Sequence, residues 1–199
     1  MFGWLRKQND VADFWRWFEK NADRIRKAVE RLDHAVIVHE LGRQIAKVAP
    51  GVVHEIGKPD DRTVELILSA DGIRDSSPGV LALMAAAPRL EGFLFTAFRP
   101  RRPGMVLNIA GREIGADQIR YVAEPDGDVL HLRLFIAGGL TDHERTTVGF
   151  LMLDQALGEY DVMTGVGAIH FEDGSGPPEA EPLTALPARF DAFRAATTH

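Results

Sequence analysis

Apolar residues recur at steps of four and three along the start of the chain: Val11, Trp15, Phe18, Ala22, Ile25, Val29 and Leu32. That spacing predicts a long amphipathic helix. Trp15 and Phe18, inside FWRWF at 14–18, make its buried stripe bulky, while Arg16, Glu19, Lys20, Asp23, Arg24, Arg26, Lys27 and Glu30 take the wet face. The stripe changes phase near Asp33 and His34. A second helical pattern then runs through Val38, Leu41, Ile45 and Val48 until Pro50 and Gly51 end it. One bent helix and a helical hairpin both fit, and the phase change favours a turn or kink.

From Val52 the period switches to two. Val52–Gly57 and Thr63–Ala70 predict a hairpin about the polar turn KPDDR, with Val64, Leu66 and Leu68 on one face and Glu65 on the other. Ser77 and Pro78 open a short helix that Pro88 closes. Four strands are predicted next, at Phe93–Phe98, Met105–Ala110, Gln118–Ala123 and Val129–Ala137. Their connectors RPRRPG, GREIGA and EPDGD are short, which favours antiparallel neighbours. Thr141 with Glu144 has the form of a capping box for a helix closing at Gly158. Gly165–Phe171 follows as a strand, EDGSGPPEAEP at 172–182 as a loop, and Leu186, Phe190 and Phe193 mark a last helix.

Strands and helices do not alternate regularly, so a doubly wound parallel fold is disfavoured. The expectation is an α+β protein with a mainly antiparallel sheet and helices packed on one face. It is read as one domain over 1–199, with a helical N-terminal segment (1–50) and an α+β body (51–199).

Composition narrows the chemistry. No cysteine is present among the 199 residues, so disulfides, thiolate metal sites and cysteine nucleophiles are excluded. No apolar run is long enough to span a bilayer, and MFGWLRKQND lacks a secretory core, so the cytoplasm is the expected compartment. The net charge of −6 divides into +3 for residues 1–50 and −9 for 51–199. That balance disfavours nucleic acid as a partner.

The seven histidines show no i,i+4 pair, and His39-Glu40 lacks the second histidine of a zinc-protease helix, so no metal site is expected. Phosphate-loop, dinucleotide and nucleophile-elbow patterns are incomplete, and no cofactor is expected. His131 and His170 stand on predicted strands. If those strands are neighbours, both rings share a face with Arg133 and Glu65. Asp71 in SADG ends a strand and either presents a carboxylate to a ligand or makes an Asx-type turn with Gly72. Glu159 and Tyr160 follow a helix terminus. Together His131, His170, Asp71 and Glu159 are the candidates for a hydrolase using carboxylates and imidazoles. Arg99, Arg101 and Arg102, directly after a strand, either clamp an anion or pair with the acidic part of the chain. Trp17 lies off the helical stripe and is a candidate partner contact. With Phe98 and Phe135 on the less buried sheet face, it would favour a homodimer.

FWRWF, SADG, the segment from AAP to FRPRRP at 86–103, and LGEYD at 157–161 together resemble an uncharacterised family of bacterial proteins. The resemblance implies no activity and no cofactor. Arginine-rich, alanine-rich usage also fits a GC-rich bacterial genome. Without a complete catalytic motif, the leading expectation is a non-enzymatic binding protein that engages a protein partner or modest ligand, for example an acidic protein neutralising a basic one.

Overall fold

The long N-terminal helix forms where the apolar stripe lies. In a computed structural model that describes residues 2–102, 104, 106–109 and 111–197, α1 spans Phe2–Arg31. Val11, Trp15, Phe18, Ile25 and Val29 are buried, and Phe14 and Ala28 widen the stripe. Leu32 departs from expectation: it is 69% exposed and sits at φ +54°. Leu32 N–H donates to Val29 O and Asp33 N–H to Ala28 O, the paired bonds of a Schellman motif, so Leu32 holds the left-handed position that glycine usually fills. The chain turns there. A π-helical stretch at Ala35–Glu40 then runs into α2 (Leu41–Val48). The wider π turn shifts the stripe, so that Ile37 is buried with Leu41 and Ile45, while the expected Val38 is exposed.

β1 (Val53–Gly57) and β2 (Val64–Ser69) form the expected antiparallel hairpin. After α3 (Ser77–Ala85), β3 (Phe93–Ala97) returns parallel to β2 in the order β1-β2-β3. Short connectors favour pairing with the strands that follow; the α3 crossover instead makes β3 a parallel neighbour of β2. Phe14, Trp15, Phe18, Phe93 and Phe95 build an aromatic cluster between α1 and this sheet, and Trp15 Nε1–H donates to Leu83 O at 2.8 Å. Phe98 was expected on a less buried face, but it is buried, at φ +60°.

β4 (Val106–Ile109) pairs with β5 (Arg112–Gly115). The sequence placed β5 inside the connector GREIGA; the turn at Gly111 closes a second hairpin there. The ends of the predicted strand, Met105 and Ala110, lie outside the described residues, as do Pro103 and His199. β6 (Ile119–Asp126), β7 (Val129–Ile136), β8 (Val166–Glu172) and the short β9 (Glu181–Pro182) make a sheet ordered β8-β7-β6-β9, with only β7 and β8 parallel. α4 (Asp142–Leu157), α5 (Glu159–Gly165) and α6 (Leu186–Thr197) complete the fold. Thr141 caps α4 as expected: its side chain accepts from Glu144 N–H, and its own N–H donates to Glu144 Oε2 at 2.8 Å. α5 is additional to the predicted elements: Gly158 closes α4 and at once opens α5.

The protein is therefore α+β with mostly antiparallel sheets. Its residues pack as two compact units, Met1–Arg99 and Pro100–His199. The first carries fifteen Lys and Arg against fourteen Asp and Glu, and the second eight against fifteen. The net negative charge thus belongs to the second unit, at −7, and the first stands at +1. Among the described residues, no helix is long and apolar enough to cross a membrane.

Candidate functional site

Strand alternation divides the C-terminal sheet into two faces. Leu130, Leu132, Leu134 and Ile136 of β7 enter a core with Ile119 and Tyr121 of β6, Ile169 and Phe171 of β8, and residues of α4 and α6. The opposite face carries Val129, His131, Arg133 and Phe135. Pairing aligns Glu124 with His131, Val122 with Arg133, and Arg120 with Phe135. On the other side His170 stands beside Arg133, and Glu172 beside Phe135. Three strands thus present an ordered grid of mixed charge.

His131 is fixed on both sides. Its Nδ1 accepts the Ala168 N–H at 2.7 Å, so the ring proton resides on Nε2, which lies 3.2 Å from Asp126 Oδ2. Gly167 makes room: a Cβ there would come within 2.6 Å of His131 Nδ1. The β7/β8 pairing is irregular between Leu130 and Leu132, beside this contact. His170 is exposed on the same face.

Arg133 stacks over Phe135 at 5.7 Å, and its Nη1 lies 3.8 Å from Glu172 Oε1. Phe135, also expected to be exposed, is buried because the loop at Gly176 closes over it; a Cβ on Gly176 would meet its ring at 2.7 Å. Arg120 secures that loop by donating to Ala180 O. The loop covers one end of the grid. Half-buried His131 and Arg133 and exposed Glu124, Asp126 and His170 remain at the surface.

The other candidates lie elsewhere. Glu159 is fully buried at the first position of α5, whose Val162 packs on the helix-covered side of the sheet. Asp71 and Glu65 belong to the N-terminal unit, where Glu65 accepts from Thr96 Oγ1 at 2.7 Å. Asp71 does not make the Asx bond: its own N–H donates to Ser69 Oγ, it sits at φ +54°, and Gly72 adopts the expected positive φ. Of the four proposed catalytic residues, the fold places only His131 and His170 on one sheet face.

No family model, curated protein or solved structure matches the chain.

The three arginines differ in role. Arg99 reaches Glu55 Oε1 at 2.5 Å and Asp71 Oδ1 at 3.1 Å. Arg101 donates to Leu157 O, Asp161 Oδ2 and both carboxylate oxygens of Asp191, at 2.7–2.9 Å. Arg102 is exposed, and its main-chain N–H donates to Gln155 O. Trp17 is half-buried, tilted against Phe14 at 6.2 Å. Among the described residues, no three His, Asp or Glu side chains gather as a metal cage.

Hydrogen bonding from Arg101 holds the Asp191 carboxyl below the usual aspartate range, and Asp191 in turn raises the guanidinium pKa. The native carboxyl then resists a proton that the unfolded chain takes up near pH 4. The stabilisation is complete above that pH and disappears as pH falls through the depressed native value. Arg101→Met is expected to flatten the acid limb of the stability curve below about pH 4. Because the pair is solvent-screened, the loss at neutral pH is about 0.2–1 kcal/mol. Urea unfolding of the C-terminal unit across that range checks this, and parallel acid limbs for wild type and variant would refute it.

Proposed function

We propose that the protein is a non-enzymatic interaction protein of the bacterial cytoplasm. Its acidic C-terminal unit binds a basic protein partner over the open face of β6, β7 and β8. The observation that carries this reading is the grid itself. Its side chains stand on three adjacent strands, held in place by the sheet, with Glu124, Asp126 and Glu172 around a centre of Val122, Arg133 and His170. Rigid, mixed surfaces of this kind suit partner recognition, and the surplus charge of the unit steers a basic protein toward them.

Acid–base catalysis finds less support. Both nitrogens of His131 are engaged, by Ala168 and Asp126, and Glu159 is enclosed on an element of the covered side. A hydrolase would need these groups converging on one substrate atom.

The test is affinity capture from a bacterial lysate with the full chain as bait, at about 0.05 M and about 0.5 M salt. A basic protein is expected at low salt, weakened at high salt. With Glu124→Lys/Asp126→Lys as bait, affinity is expected to fall about tenfold or more. Equal recovery by both baits, or no partner with either, would overturn the proposal.

A further inference from the structure

β3 is an edge strand of the N-terminal sheet, and its hydrogen-bonding groups can be assigned one by one. Gly92 O accepts from Val64 N–H at 2.9 Å, and Phe98 N–H donates to Leu68 O at 2.7 Å. With the parallel register of β2 and β3, these bonds direct the main-chain groups of Leu94 and Thr96 toward β2 and those of Phe93, Phe95 and Ala97 away from it. Phe93 N–H is used, donating to Leu90 O at 3.1 Å. Phe93 O, both groups of Phe95 and both groups of Ala97 have no hydrogen-bond partner among the described residues.

Natural sheets blunt such edges with charge, proline or a bulge. β3 reads FLFTA and has none of these. Leu94 is 47% exposed on it. Alongside runs a cavity of about 460 Å³ lined by Met84, Pro88, Leu90 and residues 93–95, with Arg89 and Glu91 at its polar side. An uncharged strand edge beside a largely apolar groove has the form of a strand-addition site.

We propose that the occupant is β3 of a second copy of this chain, paired antiparallel about a two-fold axis through Phe95, so that two three-stranded sheets become one of six strands. The free groups are complementary under that rotation. Phe95 N–H and C=O exchange two bonds with their counterparts, and each Ala97 N–H donates to the other copy's Phe93 C=O. The one edge donor already committed, Phe93 N–H, falls at the end of the ladder, opposite Ala97 C=O, which stays in solvent. On the face carrying Leu94, that side chain comes to lie against Thr96 of the other copy, with Cα atoms about 4.5 Å apart. Charge does not oppose the pairing: β3 is uncharged and its unit is close to neutral, whereas the C-terminal unit at −7 repels its own kind. This dimer is independent of the C-terminal sheet face and replaces the aromatic surplus as the reason for association, since Phe98 and Phe135 are buried within one chain.

A five-residue strand pair is smaller than a standard interface, so half-association is expected at about 10–100 μM. Sedimentation of the full chain between about 5 and 500 μM should show the mass rise from 22.0 kDa toward twice that value. Amide exchange of Phe95 and Ala97 should slow with concentration. Ala97→Pro removes an outward donor without touching the β2 ladder, and Leu94→Lys places a charge on the exposed rim of the strand. Both should stay at 22.0 kDa at every concentration, with unchanged circular dichroism. If either misfolds, the other decides. A wild-type mass fixed at 22.0 kDa to about 500 μM would overturn the proposal, as would a dimer that survives in the folded variants.

Discussion

Phe18→Ala is expected to destabilise the N-terminal unit by about 3–5 kcal/mol, the range for emptying a core aromatic position. Phe18 is fully buried, and its ring meets Trp15, Phe93 and Phe95 edge-on at 5.7, 5.3 and 5.3 Å. One side chain therefore joins α1 to β3 across most of a turn. Its neighbours are rings that cannot collapse into the space without leaving their own contacts, which sets the cost toward the upper end. The three tryptophans, Trp4, Trp15 and Trp17, all fall within residues 1–99, so tryptophan fluorescence during urea unfolding reports this unit. A loss below about 1 kcal/mol would mean that the aromatic cluster does not hold α1 to the sheet.

Leu134→Ala should cost about 2–5 kcal/mol in the C-terminal unit. Leu134 is fully buried at the centre of β7, opposite Tyr121 on β6 and Phe171 on β8. Both neighbours are large, and each is anchored in its own strand, so the space of the lost side chain stays largely open. Tyr121 and Tyr160 are the two tyrosines of the chain and lie within 100–199, which gives tyrosine emission of the unfolding chain as the readout. A shift confined to the tryptophan signal would contradict the placement of Leu134 in this core.

Periodicity revealed the elements whose signal is local. α1, the β1/β2 hairpin, the β6/β7 alternation and the Thr141 cap depend on neighbours within a few residues, and each was legible. The failures have long-range or geometric causes. Leu32 looked like a stripe residue because spacing carries no φ, and Val38 because a π turn changes the period without any compositional mark. β3 pairs outside the run of short connectors because a strand's partner depends on which connection crosses the sheet, and α3 carries the chain back beside β2. The open face was half legible. Alternation along β7 separates His131 and Arg133 from the core, but the parallel pairing that brings up His170 and Glu172 is a contact 37 residues away in sequence for Arg133 and His170. Phe135 shared the open-face parity and was buried by a glycine loop that no periodicity anticipates.

The N-terminal unit supplies a near-neutral body with an open strand edge, and the acidic C-terminal unit a sheet whose mixed-charge face is left free by its own helices. That face is the proposed partner-binding surface. The most direct measurement is amide hydrogen exchange on the full chain, free and bound to the basic partner it captures. Slowed exchange is expected at the ends of β6 and β7 around Glu124–His131 and along β8 from Val166 to Glu172, with α1 and α2 unchanged. Protection concentrated on α1, α2 or β1, with β6–β8 exchanging as in the free protein, would contradict it.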